Sequence, residues 1–159
     1  MKILGTVRAI AVIVSGLKAG IFLGVFTTFS ARSALDAASF VQHQQDIHVV
    51  YVFMMPALML TTFVALAIWL WLTRSNRSAE FWLVLASLAG LIIVFAITRI
   101  VNVPINDQLM TWRASAPPAN LREIWAPWER ANAVRTLVSG VAFVLTVFAV
   151  MSAAVKKSI

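Results

Sequence analysis

The sequence predicts an all-α integral membrane protein, a four-helix bundle that forms a single transmembrane domain over residues 1–159. Of the 159 residues 61% are hydrophobic and only 12% are charged, and the mean hydropathy of +0.89 is far above that of a water-soluble domain. The chain has no cysteine, which excludes disulfides, thiolate metal sites and cysteine nucleophiles. The apolar runs lack the alternation of strands, so helices are expected rather than a barrel.

Four apolar segments are long enough to cross a bilayer, whose hydrocarbon core requires about 20 helical residues. Three of them, at residues 49–72, 81–98 and 136–155, are uncharged, and the fourth, at residues 10–29, contains only Lys18. We place the spans at residues 8–30, 48–72, 80–101 and 133–155, joined on the non-cytoplasmic side by structured loops at 31–47 and 102–132. We expect the first segment to be a retained span rather than a secretory signal, because Lys18 interrupts its apolar run.

The formal charge of +7 predicts membrane orientation rather than nucleic-acid binding, because no basic face interleaved with stacking aromatics is present. The basic flanks lie before the first span, in the short second connection and after the last span: Lys2, Arg8, Arg74, Arg77, Lys156 and Lys157. These flanks share one side of the membrane. We therefore expect both termini to be cytoplasmic, in a bacterial cytoplasmic membrane.

Most of the polar and aromatic residues fall on the opposite, outer side or at the adjoining helix ends. They form helical stripes on three spans: His48, Tyr51 and Met55 on the second, Arg99 and Asn102 on the third, and Trp128, Asn132 and Arg135 on the fourth. Asn120 and Glu123 are spaced as in a capping box, and Pro127 suits a first helical position, so a helix is predicted to run from there into the fourth span. Pro104 disfavours continuous helix between Asn102 and Asn106.

The same residues resemble a known family. The run Asn102-Val103-Pro104-Ile105-Asn106, the Trp-rich segment after it, and Trp128-Glu129-Arg130 with Asn132 and Arg135 are similar to the anthrone oxygenase family of small four-span membrane proteins. The resemblance covers nearly the whole chain, since the glycine-bearing first helix, its outer loop, Pro56 and the span count also fit. It implies the fold, and it implies oxidation of polycyclic anthrones to anthraquinones without a known metal or flavin.

Such a reaction needs a base, donors for a developing oxyanion and a dry apolar cleft. An anthrone has a doubly benzylic C–H beside an aryl ketone, so loss of a proton gives a delocalised carbanion that can itself pass an electron to dioxygen, and no cofactor is expected. We expect His48 to be the base. The expected anion-stabilising donors are Arg99, Asn102, Asn132 and Arg135, and the expected contacts with a small hydrophobic aromatic substrate are Tyr51, Met55, Asn106, Trp112, Trp125 and Trp128. Lys18, near the bilayer middle, is expected to face an internal cavity and to bind an anionic substrate tail.

Other interpretations of these residues remain open at this point. Arg99 and Arg135 fit snorkelling to phosphates, and Asn102 and Asn132 fit structural ties between helices. His43, Asp46 and His48 are close enough in sequence for a metal site. Trp69, Trp71 and Trp82 fit an aromatic belt.

The alternative function is a non-catalytic membrane binding module or an accessory subunit of a larger complex. Gly16, Gly20 and Gly24 recur at four-residue spacing and would provide its packing ridge, against a neighbouring helix, a second copy or a partner in the bilayer. A transporter is disfavoured because no inverted repeat is evident.

Overall fold

The computed structural model describes residues 2–155 and the side chains of residues 2–154, so Lys156 and Lys157 lie outside the described residues. Four helices are long and apolar enough to cross a membrane: Lys2–Thr27, Ala37–Thr73, Ala79–Leu109 and Leu121–Ala154. The prediction of an all-α, four-span membrane protein is confirmed.

The helices extend beyond the predicted spans into the outer connections. In chain order they are α1 (Lys2–Thr27), α2 (Phe29–Ser33), α3 (Ala37–Thr73), α4 (Ala79–Ile97), a π-helical turn (Thr98–Asn102), α5 (Val103–Leu109) and α6 (Leu121–Val155). The early start of α3 has a local cause, because the side chain of Asp36 accepts hydrogen bonds from the backbone N–H of Ser39 at 2.9 Å and from its hydroxyl at 2.8 Å. These hydrogen bonds lower the pKa of Asp36.

Helix α6 passes through Pro127, which therefore does not occupy the predicted first helical position. Proline lacks the N–H that would donate to the carbonyl of Glu123. The helix nevertheless begins at Leu121, because Leu121 and Trp125 are buried in a cluster with Phe40 and Leu109. Tertiary packing outweighs the local cost of the proline.

The four long helices form a square in which α6 and α3 each contact both α1 and α4. The interior is rich in small and polar residues, as is usual where helices approach closely in lipid. Ser87 on α4 donates to the carbonyl of Ala142 on α6 at 3.1 Å. On α1, a Cβ added at Gly16 would lie 3.0 Å from the ring of Phe143 on α6, whereas one at Gly20 or Gly24 would meet nothing within 4 Å. Only the first glycine of the ridge packs closely within this chain.

A charged cluster closes the end of the bundle at which α1 begins, and the sequence interpretation missed it. Oε1 of Glu80 on α4 accepts from Nε of Arg8 on α1 at 2.9 Å and from the indole N–H of Trp69 on α3 at 2.6 Å, and Nη2 of Arg8 also contacts it. We call these three residues the inner clamp. Trp69 is fully buried, so its assignment to the aromatic belt is wrong, while Trp71 and Trp82 are exposed as a belt requires. The physical reason is the carboxylate, which gives the indole N–H a buried acceptor.

We place one boundary of the apolar slab at the inner clamp, because charged side chains are costly deeper in the bilayer. Counting about 20 residues, or 30 Å of helix, from Arg8 and Trp69 sets the outer boundary near Thr28 on α1 and Val49 on α3. Lys18 then lies close to the middle.

We predict that Glu80→Gln destabilises the bundle by about 1–3 kcal/mol, because the carboxylate accepts charge-assisted hydrogen bonds from two other helices. The measurement is the thermal unfolding midpoint of the protein in detergent. Glu123→Gln is the matched control, since Glu123 is exposed in the first turn of α6. Equal midpoints for the two variants would show that the inner clamp contributes nothing to stability.

Candidate functional site

A cavity of about 1060 Å³ lies at the end of the bundle opposite the inner clamp. We call it the outer cavity. Its walls come from α1, α2, α3, the π-helical turn, α5 and α6. Phe22 and Met59 belong both to its lining and to the buried core, so they form its floor. Its volume is slightly above the range of about 300–1,000 Å³ that is typical of small-molecule sites.

One wall of the outer cavity is a stack of aromatic rings. The rings of Trp125 and Trp128 are stacked with their centroids 4.6 Å apart and their planes 18° apart, and the ring of Phe40 meets Trp125 edge-on at 5.6 Å. Trp128 donates from its indole N–H to Oδ1 of Asn106 at 2.8 Å, and Trp125 donates to Oε1 of Glu129 at 2.9 Å. Both indoles are therefore held by packing and by a hydrogen bond, which leaves a rigid flat surface beside the space.

Arg135 carries a buried charge at the end of this wall. Its side chain lies between the rings of Phe22 and Trp128, with the guanidinium carbon 5.0 and 5.5 Å from their centroids. Nη1 donates to Oγ1 of Thr98 at 3.1 Å and Nη2 to Oδ1 of Asn132 at 3.0 Å. A guanidinium has five N–H donors, so these bonds leave three without a partner in the described part of the chain. No carboxylate among the described residues forms an ion pair with it.

Arg135 and two asparagines each have a buried side-chain atom without a hydrogen-bond partner in residues 2–154. These atoms are Nε of Arg135, Nδ2 of Asn132 and Oδ1 of Asn102. Nearly all buried polar groups in folded proteins are paired, so such a group requires an explanation. Unused hydrogen-bonding capacity next to a cavity is typical of a site that pairs with a ligand or with water.

The π-helical turn brings two of these partners to α6. The N–H of Val103 donates to the carbonyl of Thr98, five residues back, and such turns are frequent at functional sites. Thr98 then meets Arg135, and Nδ2 of Asn102 donates to the carbonyl of Trp128 at 3.3 Å. Asn102 and Asn106 thus both contact Trp128 although Pro104 lies between them.

Arg32 is a cavity residue that the sequence interpretation missed. It lies on α2, is 5% exposed, donates from Nη2 to the carbonyl of Val25 at 2.6 Å and lies 3.5 Å from Oε1 of Glu129. Its Nε has no partner among the described residues. In the sequence, Asp36 follows Arg32 by four residues and could pair with it at the surface. No signal in the sequence therefore marks Arg32 as buried.

The structure brings most of the predicted site residues to the outer cavity. Those that line it are His48, Tyr51, Met55, Arg99, Asn106, Trp125, Trp128, Asn132 and Arg135. Three predicted site residues do not line it. Asn102 lies behind Trp128, Trp112 packs on the cluster around Phe40, and Lys18 is 2% exposed below the floor. Lys18 has no hydrogen bond or ion pair with any described residue, and it does not reach the cavity.

His43 and His48 both line the outer cavity, although five residues separate them on α3. Asp46, the third residue of the possible metal set, is exposed and accepts a hydrogen bond from Gln42 at 2.9 Å. Within residues 2–155 no three His, Cys, Asp or Glu side chains are grouped so that they could hold a metal ion. His48 is half-buried and has no hydrogen bond with another described side chain.

Comparison with known proteins supports the family resemblance. The anthrone oxygenase family profile matches residues 48–145, which is more than half of the chain, and this match confirms the resemblance. It begins at His48 and includes Trp125, Trp128 and Arg135. No curated protein and no solved structure matches the chain.

We predict that Arg135→Met leaves the unfolding midpoint in detergent unchanged or raises it, because relief of the desolvation penalty of a buried charge without a carboxylate partner offsets the loss of the hydrogen bonds to Thr98 and Asn132. Arg32→Met is the matched control. It removes a hydrogen bond to a carbonyl and an ion pair with a carboxylate, and it is expected to cost about 1.5–3 kcal/mol. A large drop for Arg135→Met would instead identify Arg135 as a structural tie.

Proposed function

The chain belongs to the anthrone oxygenase family, and from this membership we propose that it is a membrane-embedded, cofactor-independent oxygenase. Its substrate is a flat hydrophobic aromatic or quinone-like molecule that binds in the outer cavity. Both termini are cytoplasmic in this proposal, so the cavity opens toward the non-cytoplasmic side of the membrane.

The observation that carries the proposal is Arg135 at the end of the tryptophan stack. A cation buried at this depth is costly, and intramembrane charges of this kind usually mark a functional site. Arg135 has neither a carboxylate in an ion pair nor a full set of acceptors among the described residues, and it borders a space large enough for a fused-ring molecule. In this proposal, the negative charge that pairs with Arg135 belongs to an anion that forms from the substrate during the reaction.

The proposed reaction supplies that anion. A base removes one proton from the methylene carbon of an anthrone, and the charge moves onto the aryl ketone oxygen as an enolate. The enolate reduces dioxygen, one oxygen atom becomes the new carbonyl, and the second leaves as water with the two methylene hydrogens. Anthrone and dioxygen thus give anthraquinone and water, so the electrons balance without a further reductant.

Each cavity residue has a role in this scheme. His48 removes the proton, and Arg135 with Asn132 donates hydrogen bonds to the enolate oxygen, where a low local dielectric strengthens them. Trp125, Trp128 and, from α3, Tyr51 hold the ring system flat. Asn102 and Asn106 position Trp128, since both hydrogen-bond to it. Arg99 is exposed at the rim and attracts the anionic form.

The second candidate function is binding without turnover, as expected of a membrane binding module or an accessory subunit. One observation favours it, because His48 has no hydrogen-bonded partner among the described residues that would orient its ring as a base. Anthrone would then bind in the outer cavity and remain unoxidised.

We predict that the purified protein in lipid nanodiscs consumes dioxygen and converts anthrone to anthraquinone. An oxygen electrode measures the first, and the absorbance of the product measures the second. His48→Gln should lower the turnover by about 10²–10⁴-fold, the usual contribution of a general base. Turnover should be unchanged after treatment with a chelator.

His43→Gln is the matched control, because it removes a second imidazole at the same cavity and should keep most of the turnover. Quenching of tryptophan fluorescence by anthrone reports binding separately. Binding without oxygen consumption would favour the non-catalytic candidate, and undiminished turnover in His48→Gln would eliminate this residue as the base.

A further inference from the structure

The inner half of the outer cavity lies within the apolar slab of the membrane. The outer boundary is near Thr28 on α1 and Val49 on α3, counted about 20 residues from the inner clamp. The lining residues from Ile21 to Val25 and from Tyr51 to Met59 lie beyond that boundary, on the hydrocarbon side. Pro56 lies about seven residues from Val49 along α3, so this part of the wall reaches roughly 10 Å into the hydrocarbon.

At this depth the lining of the cavity includes exposed residues on both α1 and α3. They are Gly24 on α1 and Val52 and Pro56 on α3, and we place a side opening between the two helices at these residues. A Cβ added at Gly24 would meet nothing within 4 Å, so no neighbouring side chain covers this position.

The rim of the cavity nearer the water has a different character. The exposed lining residues there include His43, Arg99 and Asp107, which are polar or charged. An apolar ring system would have to pass these groups to enter from water. Gly24, Val52 and Pro56 are apolar by contrast, and they line the same cavity as the stacked tryptophans and Arg135.

We propose that the planar hydrophobic substrate enters the outer cavity sideways, from the hydrocarbon of the surrounding lipid leaflet, through the opening between α1 and α3 beside Gly24. The identity of the ligand rests on the proposed function, but the route does not require turnover. Fused-ring aromatics partition into lipid, where their local concentration exceeds that in water. Gly24 keeps the opening wide because any side chain at this position would project into it.

The test is the rate of anthrone binding in nanodiscs, measured by tryptophan quenching. Gly24→Leu should slow association by at least about tenfold, within the roughly one to three decades over which association rates vary among variants of one interface. Gly20→Leu is the matched control, since Gly20 lies one turn away on α1, also has nothing within 4 Å of its Cβ and does not line the outer cavity. Replacing glycine by leucine raises helix propensity in both variants, so a failure to fold is not expected.

A second measurement tests the route without any ligand. The chain has no cysteine, so Gly24→Cys and Gly20→Cys each accept a single spin label. In nanodiscs, a label at Gly24 should collide more with oxygen, which dissolves in hydrocarbon, than with a water-soluble nickel complex, as should a label at Gly20. Preferential collision with nickel at Gly24 would show that the opening faces water and would overturn the proposal.

The outcomes separate this proposal from the proposed function. Rapid anthrone binding in Gly24→Leu would overturn the lateral route whether or not the protein consumes oxygen. Slow binding in Gly24→Leu with normal binding in Gly20→Leu would support the route even if the wild type never oxidises anthrone. If the wild type does not bind anthrone, the spin-label measurement alone decides whether the opening faces lipid.

Discussion

A guanidinium charge held at membrane depth without a carboxylate partner is the constraint on which the outer half of this protein depends. Thr136, next to Arg135 in the chain, donates to the carbonyl of Phe22 at 3.2 Å, so Arg135 lies at the level of Phe22. That level is about 9 Å below the outer boundary near Thr28. Lipid offers no water to such a group, so hydrogen-bond acceptors from the π-helical turn and α6, and rings from α1 and α6, must surround it.

The two ends of the bundle satisfy their buried charges in different ways. At the inner end the carboxylate of Glu80 accepts donors from α1 and α3, which leaves the helices in close contact. At the outer end Glu129 pairs with Arg32 and Trp125 and forms no ion pair with Arg135. The outer cavity lies beside Arg135.

The outer cavity combines groups that suit the stabilisation of a delocalised anion. The stacked tryptophans provide a flat apolar surface whose orientation is fixed by hydrogen bonds to Asn106 and Glu129. The cation at its end is fixed between two rings, so little reorganisation is needed when negative charge develops on a bound molecule. An opening at hydrocarbon depth would provide such a molecule from the phase in which it is most soluble.

The sequence by itself determined the four spans, the helical class and the family, because these depend on the length and hydropathy of segments and on local runs such as Asn102 to Asn106. It also placed His48, Tyr51, Asn132 and Arg135 on one side of the membrane, since helical spacing and span count decide that. Tertiary structure alone decided that Arg32 is buried, that Trp69 reaches a carboxylate, and that Lys18 stays below the cavity floor. The physical reason is that each of these outcomes depends on which distant side chain supplies an acceptor or fills the space, and residues 11 to about 100 positions apart in the chain meet only when the helices pack.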